Sequence, residues 1–163
     1  MNKKGFTLVE LLATLVILGI VTSLIVVGVN YNIKNTKEKT EEVFIGTIKD
    51  ALKVYIDSDA KNLTFKSSAE GCIDKSLKNN VKVYMVSNAV SLTTVVNSKY
   101  SPLDVKDLVN PNNEKVNCNV TSRIVYIYRD EDYVYYYKIA KSSLSCLTTS
   151  GNITNLPTLK TCS

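Results

Sequence analysis

Four cysteines give this 163-residue chain its most predictable chemistry. All of them follow the first apolar segment, at positions Cys72, Cys118, Cys146 and Cys162. Their spacings contain no C-x-x-C, so a zinc site is not indicated. If the first segment crosses a membrane, all four lie on its outer side, where an even number of cysteines favours disulfides over free thiols. The sequence therefore predicts two disulfide bonds.

Glu10 is the second residue whose chemistry stands out, because it is the one charge between Phe6 and Val29. A carboxylate at the centre of a membrane-spanning helix costs about 2.5–3.5 kcal/mol. The side chain should therefore be neutral, be paired, or lie near an interface. The plain interpretation is that it reaches the lipid headgroups.

The apolar run that holds Glu10 is long enough to cross a membrane. A helix over 6–29 measures about 36 Å, against about 30 Å for a bilayer's hydrocarbon core. Lys3 and Lys4 precede the run and favour a cytoplasmic N-terminus. We therefore expect a single-pass protein whose remaining residues face outward.

No set of residues in the sequence supports catalysis. The chain has no histidine, which is the commonest general base and metal ligand. No serine or cysteine has a base beside it in the sequence. We expect no enzymatic activity, no cofactor and no metal.

Two further clusters have plain interpretations. Asp130, Glu131 and Asp132 are an acidic group for which calcium binding is the alternative to a charged hairpin turn, and we favour the turn. The tyrosines of 126–137 are expected to pack across a sheet rather than to bind DNA. A net charge of +5 is too small to indicate nucleic-acid binding.

The element that must carry Glu10 is a helix that continues beyond residue 29. Apolar residues recur at three- and four-residue steps from Phe44 to Ile56, and no proline interrupts them. We predict one helix of about 50 residues that ends near Asp57–Asp59. Its second half should pack an apolar stripe onto a sheet.

The segments after this helix are less regular. We expect a short helix at 72–77 and a strand at 81–86, while 88–96 is ambiguous between helix and strand. Ser101-Pro102 predicts a further short helix, with Ser101 as N-cap and Asp104 completing a capping box. That helix should end at 110–111.

The clearest strands are 123–128 and 133–139, which are rich in β-branched and aromatic residues. The polar residues 129–132 join them, so the pair predicts an antiparallel hairpin. In the first strand Val125 and Ile127 share one face of the sheet.

The hairpin also bears on the disulfide pairing. Reflection of the chain about the loop places Cys118 opposite roughly residue 143, close to Cys146. Cys118–Cys146 is therefore the first choice, which leaves Cys72–Cys162. Four cysteines allow two other connectivities, and the sequence leaves these open.

The segment Gly5-Phe6-Thr7-Leu8-Val9-Glu10 closely resembles the N-terminus of type IV prepilins and pseudopilins. These families have a short basic leader, a glycine at the cut, a Phe or Met after it, and a glutamate at the fifth position beyond it. The resemblance implies that a prepilin peptidase cleaves after Gly5 and methylates the new amine of Phe6. It also implies that Glu10 pairs with the amine of a neighbouring subunit during assembly, which would offset its burial.

The resemblance further implies an α+β, pilin-like fold, in which a long N-terminal helix packs on a small C-terminal antiparallel sheet. The expected divisions are a leader at 1–5, a membrane and filament-core helix at 6–29, its amphipathic continuation at 30–57 and a head at 58–163. The implied localisation is the cell membrane before assembly and the cell surface after it. The implied partners are the prepilin peptidase, other pilin subunits, an assembly ATPase, a membrane platform protein and lipid.

The expected function is that of a structural subunit of a type IV pilus or related filament. One alternative is a pseudopilin of a type II secretion or competence DNA-uptake system. An alternative of another class is a membrane-anchored extracellular binding domain that does not polymerise. A cleaved secretory signal is disfavoured, because the apolar run is too long and no A-x-A-like site follows it.

Overall fold

The computed structural model describes residues 7–148 and 151–162, and within 23–31 it describes the backbone alone. The chain divides into two compact units, Met1–Thr40 and Glu41–Ser163. One helix, α1 (Leu8–Asp59), supplies residues to both. The fold is the α+β, pilin-like arrangement predicted above, and the single long helix ending near Asp57–Asp59 is confirmed.

In the first unit, α1 accommodates threonines within an apolar run by turning their hydroxyls back to the helix. The Thr14 hydroxyl donates to the Leu11 carbonyl and the Thr22 hydroxyl to the Leu18 carbonyl, each at 2.8 Å. These side chains therefore need no partner outside the helix.

The second unit holds an antiparallel sheet in the strand order β1-β2-β6-β7-β8, with β3 also paired to β6. Strands β4 and β5 form a separate hairpin. A short helix, α2 (Leu92–Val96), follows β3. The strand bounds are β1 (Gly71–Lys75), β2 (Lys78–Met85), β3 (Val90–Ser91), β4 (Val109–Asn110), β5 (Asn113–Asn117), β6 (Arg123–Asp130), β7 (Tyr135–Ala140) and β8 (Asn152–Thr154).

The main core lies between the last turns of α1 and one face of the sheet. Ile48 and Leu52 of α1 are fully buried in the same cluster as Val125, Ile127 and Ile139. The stripe predicted on the helix is therefore the one that packs. Each such side chain contributes roughly 1.5–3 kcal/mol through burial.

The opposite face of the sheet is covered by the C-terminal segment. Val83 and Tyr128 are buried there beside Leu156 and Leu159. A Cβ atom at Gly71 would lie 3.0 Å from the Leu159 Cβ, so this close approach favours glycine. The sheet is thus buried on both faces where this segment crosses it.

The helix expected at 72–77 is wrong, because 72–75 belong to the edge strand β1 and 76–77 to the turn that follows it. Cys72 pairs with Lys82 of β2 on one side and exchanges two backbone hydrogen bonds with Lys160 on the other. Pairing on both sides outweighs the local preference. The strand predicted at 81–86 is confirmed as β2, and the ambiguous 88–96 divides between β3 and α2.

The helix expected to start at Ser101 is also wrong. The Ser101 hydroxyl instead bonds the backbone of Leu103, and a single 3-10 turn follows at Val105–Asp107 with Asp104 as its N-cap. The Asp104 N–H donates to the Asp107 carboxylate at 3.1 Å. The turn stops there because β4 begins at Val109.

Candidate assembly site

The described N-terminus of α1 is closed by a reciprocal pair of side chains, Thr7 and Glu10. The Thr7 backbone N–H and its hydroxyl each donate to Glu10 Oε2 at 2.9 Å. The Glu10 N–H donates in return to Thr7 Oγ1 at 3.3 Å. This is a capping box, in which two backbone donors that the helix leaves free both find acceptors. Glu10 thus has an in-chain partner at the start of its own helix.

The helix that follows exposes large apolar side chains on all its sides. They remain at least 45% exposed, and they are Leu8, Val9, Leu11, Leu12, Leu15, Val16, Ile17, Leu18, Ile20 and Val21. Soluble monomers rarely expose a continuous apolar surface of this kind, so it marks a place for lipid or protein contact. We call Leu8–Val21 the apolar segment.

Across the residues that the structure describes, no helix combines the length and hydropathy needed to cross a membrane. The predicted span, 6–29, includes Phe6, which the structure does not describe, and 23–29, of which it describes the backbone alone. The residues predicted to set the topology and the processing site also lie outside the described residues. They are Lys3, Lys4, Gly5 and Phe6.

The four cysteines form two disulfides in the second unit. Cys72 of β1 bonds Cys162, and Cys118 bonds Cys146. These are the pairs that the sequence analysis placed first. The first ties the C-terminal segment to the edge of the sheet, and the second ties the residues after β5 to those after β7.

Asp130 is the most buried carboxylate described in the head, with 1% of its surface exposed. Its Oδ2 atom lies 2.7 Å from the Lys75 ammonium and accepts the Tyr136 hydroxyl at 2.9 Å. Its Oδ1 atom accepts the N–H groups of Asp132 and Val134, both at 2.9 Å. Both oxygens are therefore satisfied by protein donors.

Neighbouring charges extend this arrangement. The Asp132 carboxylate lies 2.9 Å from the Lys75 ammonium and 2.6 Å from that of Lys78. Burial raises the pKa of Asp130, but the hydrogen bonds from Lys75, Val134 and Tyr136 outweigh it and leave that pKa below its ordinary value. The same contacts raise the pKa of Lys75, through Asp130 first and Asp132 second.

This geometry supports the charged-turn interpretation of 130–132. The lysine ammonium groups lie against the oxygens that a calcium ion would need. Among the described residues no group of three or more potential ligands is arranged to hold a metal.

Sequence reasoning missed three residues that the structure makes prominent. Thr7 was readable, because T-x-x-E before an apolar run is the capping-box pattern. Lys75 was not, since it lies 55 positions from its partner and within a segment assigned to helix. Glu41 is 3% exposed and accepts the Thr148 hydroxyl at 2.7 Å, across a separation that no local pattern reveals.

A family model described as the prokaryotic N-terminal methylation motif matches residues 1–26. This is the signal of type IV pilins and pseudopilins. Neither the curated proteins nor the solved structures include a significant match to the chain.

The motif and the fold agree on a class of protein. Residues 1–26 identify a type IV pilin-like precursor that is processed by a prepilin peptidase. The long helix and the antiparallel sheet form the pilin-like α+β arrangement.

Proposed function

We propose that this chain is a structural subunit of a type IV pilus or related filament, polymerised through α1. The observation that carries the proposal is the apolar segment Leu8–Val21, exposed on all sides and headed by Glu10. The proposed work is mechanical rather than enzymatic.

The physical case for polymerisation rests on area and charge. Exposure of apolar surface to water costs roughly 25 cal/mol per Å², and this segment is apolar around its circumference, so it must stay covered by lipid or by other helices. Lipid covers it in the membrane pool, and the helices of other subunits cover it in the filament. Because such a contact joins different surfaces of successive copies, it generates an open helical polymer when the rotation between copies does not close a ring.

Glu10 supplies the register in this proposal. Its carboxylate binds Thr7 within the isolated chain, and during assembly it accepts the methylated amine of Phe6 from a neighbouring subunit. A carboxylate buried among apolar helices is stable only when a cation meets it. An assembly ATPase and a membrane platform protein would supply the work of extracting subunits from the membrane.

The test compares Glu10→Gln with Glu114→Gln in cells that carry the remaining machinery. Glu114 is an exposed carboxylate of the head, so it controls for the loss of one charge. We expect Glu10→Gln to reduce the amount of chain in the sheared surface fraction at least tenfold, and Glu114→Gln to leave it unchanged. The intact mass of the sheared protein should lack Met1–Gly5 and carry one methyl group.

Other results would point elsewhere. A processed and methylated chain that never leaves the envelope, in cells that still secrete or take up DNA through it, favours the pseudopilin alternative. A full-length mass confined to the membrane, with no effect of Glu10→Gln, would overturn the proposal and favour an anchored binding domain.

A further inference from the structure

The end of α1 and the end of α2 border a cleft in the second unit that no step of the proposed assembly uses. Its volume is about 560 Å³, enough for one or two sugar rings. The lining residues that matter here are Tyr55, Asp59, Asn97, Ser98, Lys99 and Tyr100.

The walls of the cleft are fixed by the core and by backbone hydrogen bonds. Tyr55 is buried against the main cluster on the α1 side. On the α2 side, the Asn97 N–H donates to the Thr93 carbonyl at 2.9 Å and the Ser98 N–H to that of Val95 at 3.2 Å. A preformed cleft loses little conformational entropy when a ligand binds.

Polar groups in the cleft have unused hydrogen-bonding capacity. Asn97 follows α2 and is exposed, and its side-chain amide offers two N–H donors and a carbonyl acceptor. The Ser58 hydroxyl donates to Asp59 Oδ2 at 2.9 Å and so orients a carboxylate that can accept further donors.

The charges on the cleft indicate a neutral ligand. Asp59 and Lys99 contribute one negative and one positive group, so neither an anion nor a cation is favoured overall. The Lys99 ammonium lies 5.1 Å from the centre of the Tyr100 ring, and this cation–π contact stabilises its positive charge.

An aromatic platform completes the arrangement. Tyr100 is 65% exposed, although a large aromatic side chain gains from burial. An exposed ring beside hydroxyl, amide and carboxylate groups matches a pyranose, which has an apolar C–H face and a rim of hydroxyls. We propose that this cleft binds a neutral carbohydrate, stacked on Tyr100 and held through its hydroxyls by Asp59 and Asn97.

The experiment uses the full chain in a detergent without a sugar headgroup, because maltosides would compete for the cleft. Lactose, maltose and N,N′-diacetylchitobiose serve as probes in saturation-transfer NMR, with the dissociation constant of the best probe taken from titration. We expect at least one to bind. Tyr100→Ala and Asn97→Ala should each weaken that binding at least fivefold.

Tyr126→Ala is the matched control, since Tyr126 is an exposed tyrosine outside the cleft. Unchanged binding in Tyr126→Ala, with loss in Tyr100→Ala, supports the assignment. Absence of binding by all three probes, or equal binding by every variant, overturns it. Filament assembly should be normal in Tyr100→Ala, so this result is separate from the outcome for Glu10.

Discussion

The ammonium group of Lys75 lies 2.7 Å from the carboxylate of Asp130, although β2 separates the strands that carry them. The contact therefore spans three strands at the end of the sheet where the β1–β2 and β6–β7 turns lie. Asp132 joins both turns through Lys75 and Lys78. The buried member, Asp130, has four hydrogen-bond donors, two on each carboxylate oxygen.

Removing the charge of Asp130 should destabilise the head. In Asp130→Asn the shape is kept, but the Lys75 ammonium loses its buried counterion and an amide N–H₂ meets groups that are themselves donors. We expect the free energy of unfolding to fall by about 2–3 kcal/mol, measured by denaturant titration followed by circular dichroism. Glu114→Gln, which changes an exposed carboxylate, should stay within about 0.5 kcal/mol of the parent. Equal stability of the two variants would mean that the network contributes nothing.

The same network predicts a loss of stability at alkaline pH. Burial, with the hydrogen bond to Asp130, raises the pKa of Tyr136 from 10.0 to about 12. Because the pKa of Tyr136 is higher in the folded protein than in the unfolded one, its contribution to the free energy of unfolding is complete below pH 10. That contribution is lost as the pH rises from 10 to 12. Tyr136→Phe should flatten that part of the stability curve, while Tyr126→Phe should leave it as in the parent. If the free energy of unfolding falls equally between pH 10 and 12 in the parent and in both variants, Tyr136 is not the residue responsible for the loss.

The sequence was most informative where one periodic pattern extended over many residues. The helix ending at Asp59 and the hairpin of β6 and β7 were predicted because a stripe at three- and four-residue steps and a run of β-branched and aromatic residues are local signals. Val125 and Ile127 face the same core as predicted, since alternation along a strand fixes the face.

The remainder depended on contacts between distant residues. Residues 72–75 form a strand because Lys82 and Lys160 pair with the backbone of Cys72, and neither partner can be predicted from the segment itself. Lys75 meets Asp130 only after β1, β2 and β6 have come together. At the candidate site, Glu10 was identified from its anomalous charge. Its partner Thr7 could have been predicted only from the capping-box pattern.

The two disulfides should contribute unequally to stability. Cys72 and Cys162 are 90 residues apart, and Cys118 and Cys146 are 28 apart. In the chain-entropy description the longer loop is worth about 4.6 kcal/mol and the shorter about 3.6 kcal/mol. Replacing both cysteines of the first pair by alanine should therefore lower the free energy of unfolding by about 1 kcal/mol more than replacing those of the second. The reverse order would show that local packing at Cys118 and Cys146 outweighs loop entropy.

Two positions on α1 should separate packing from helix propensity. Leu52 is fully buried in the main core, whereas Val43, on the same helix, is 71% exposed. Leu52→Ala should lower the free energy of unfolding by about 2–5 kcal/mol, because it leaves a cavity beneath the sheet. Val43→Ala should change it by less than about 0.5 kcal/mol. Thermal denaturation of the two variants side by side checks this, and a similar loss in both would show that the stripe is not the packing face.

The capping box can be tested through hydrogen exchange at the start of α1. Thr7→Ala removes the acceptor for the Glu10 N–H and one donor to the Glu10 carboxylate, a change worth about 1 kcal/mol at a helix N-cap. Amide exchange in the first turn should therefore accelerate roughly fivefold in micelles, since the loss is confined to opening of that turn. Thr14→Ala is the matched control, because the Thr14 hydroxyl only returns to a carbonyl within the helix. Equal exchange rates in the two variants would mean that Thr7 does not cap the helix, and Glu10 would then lack its in-chain partner before assembly.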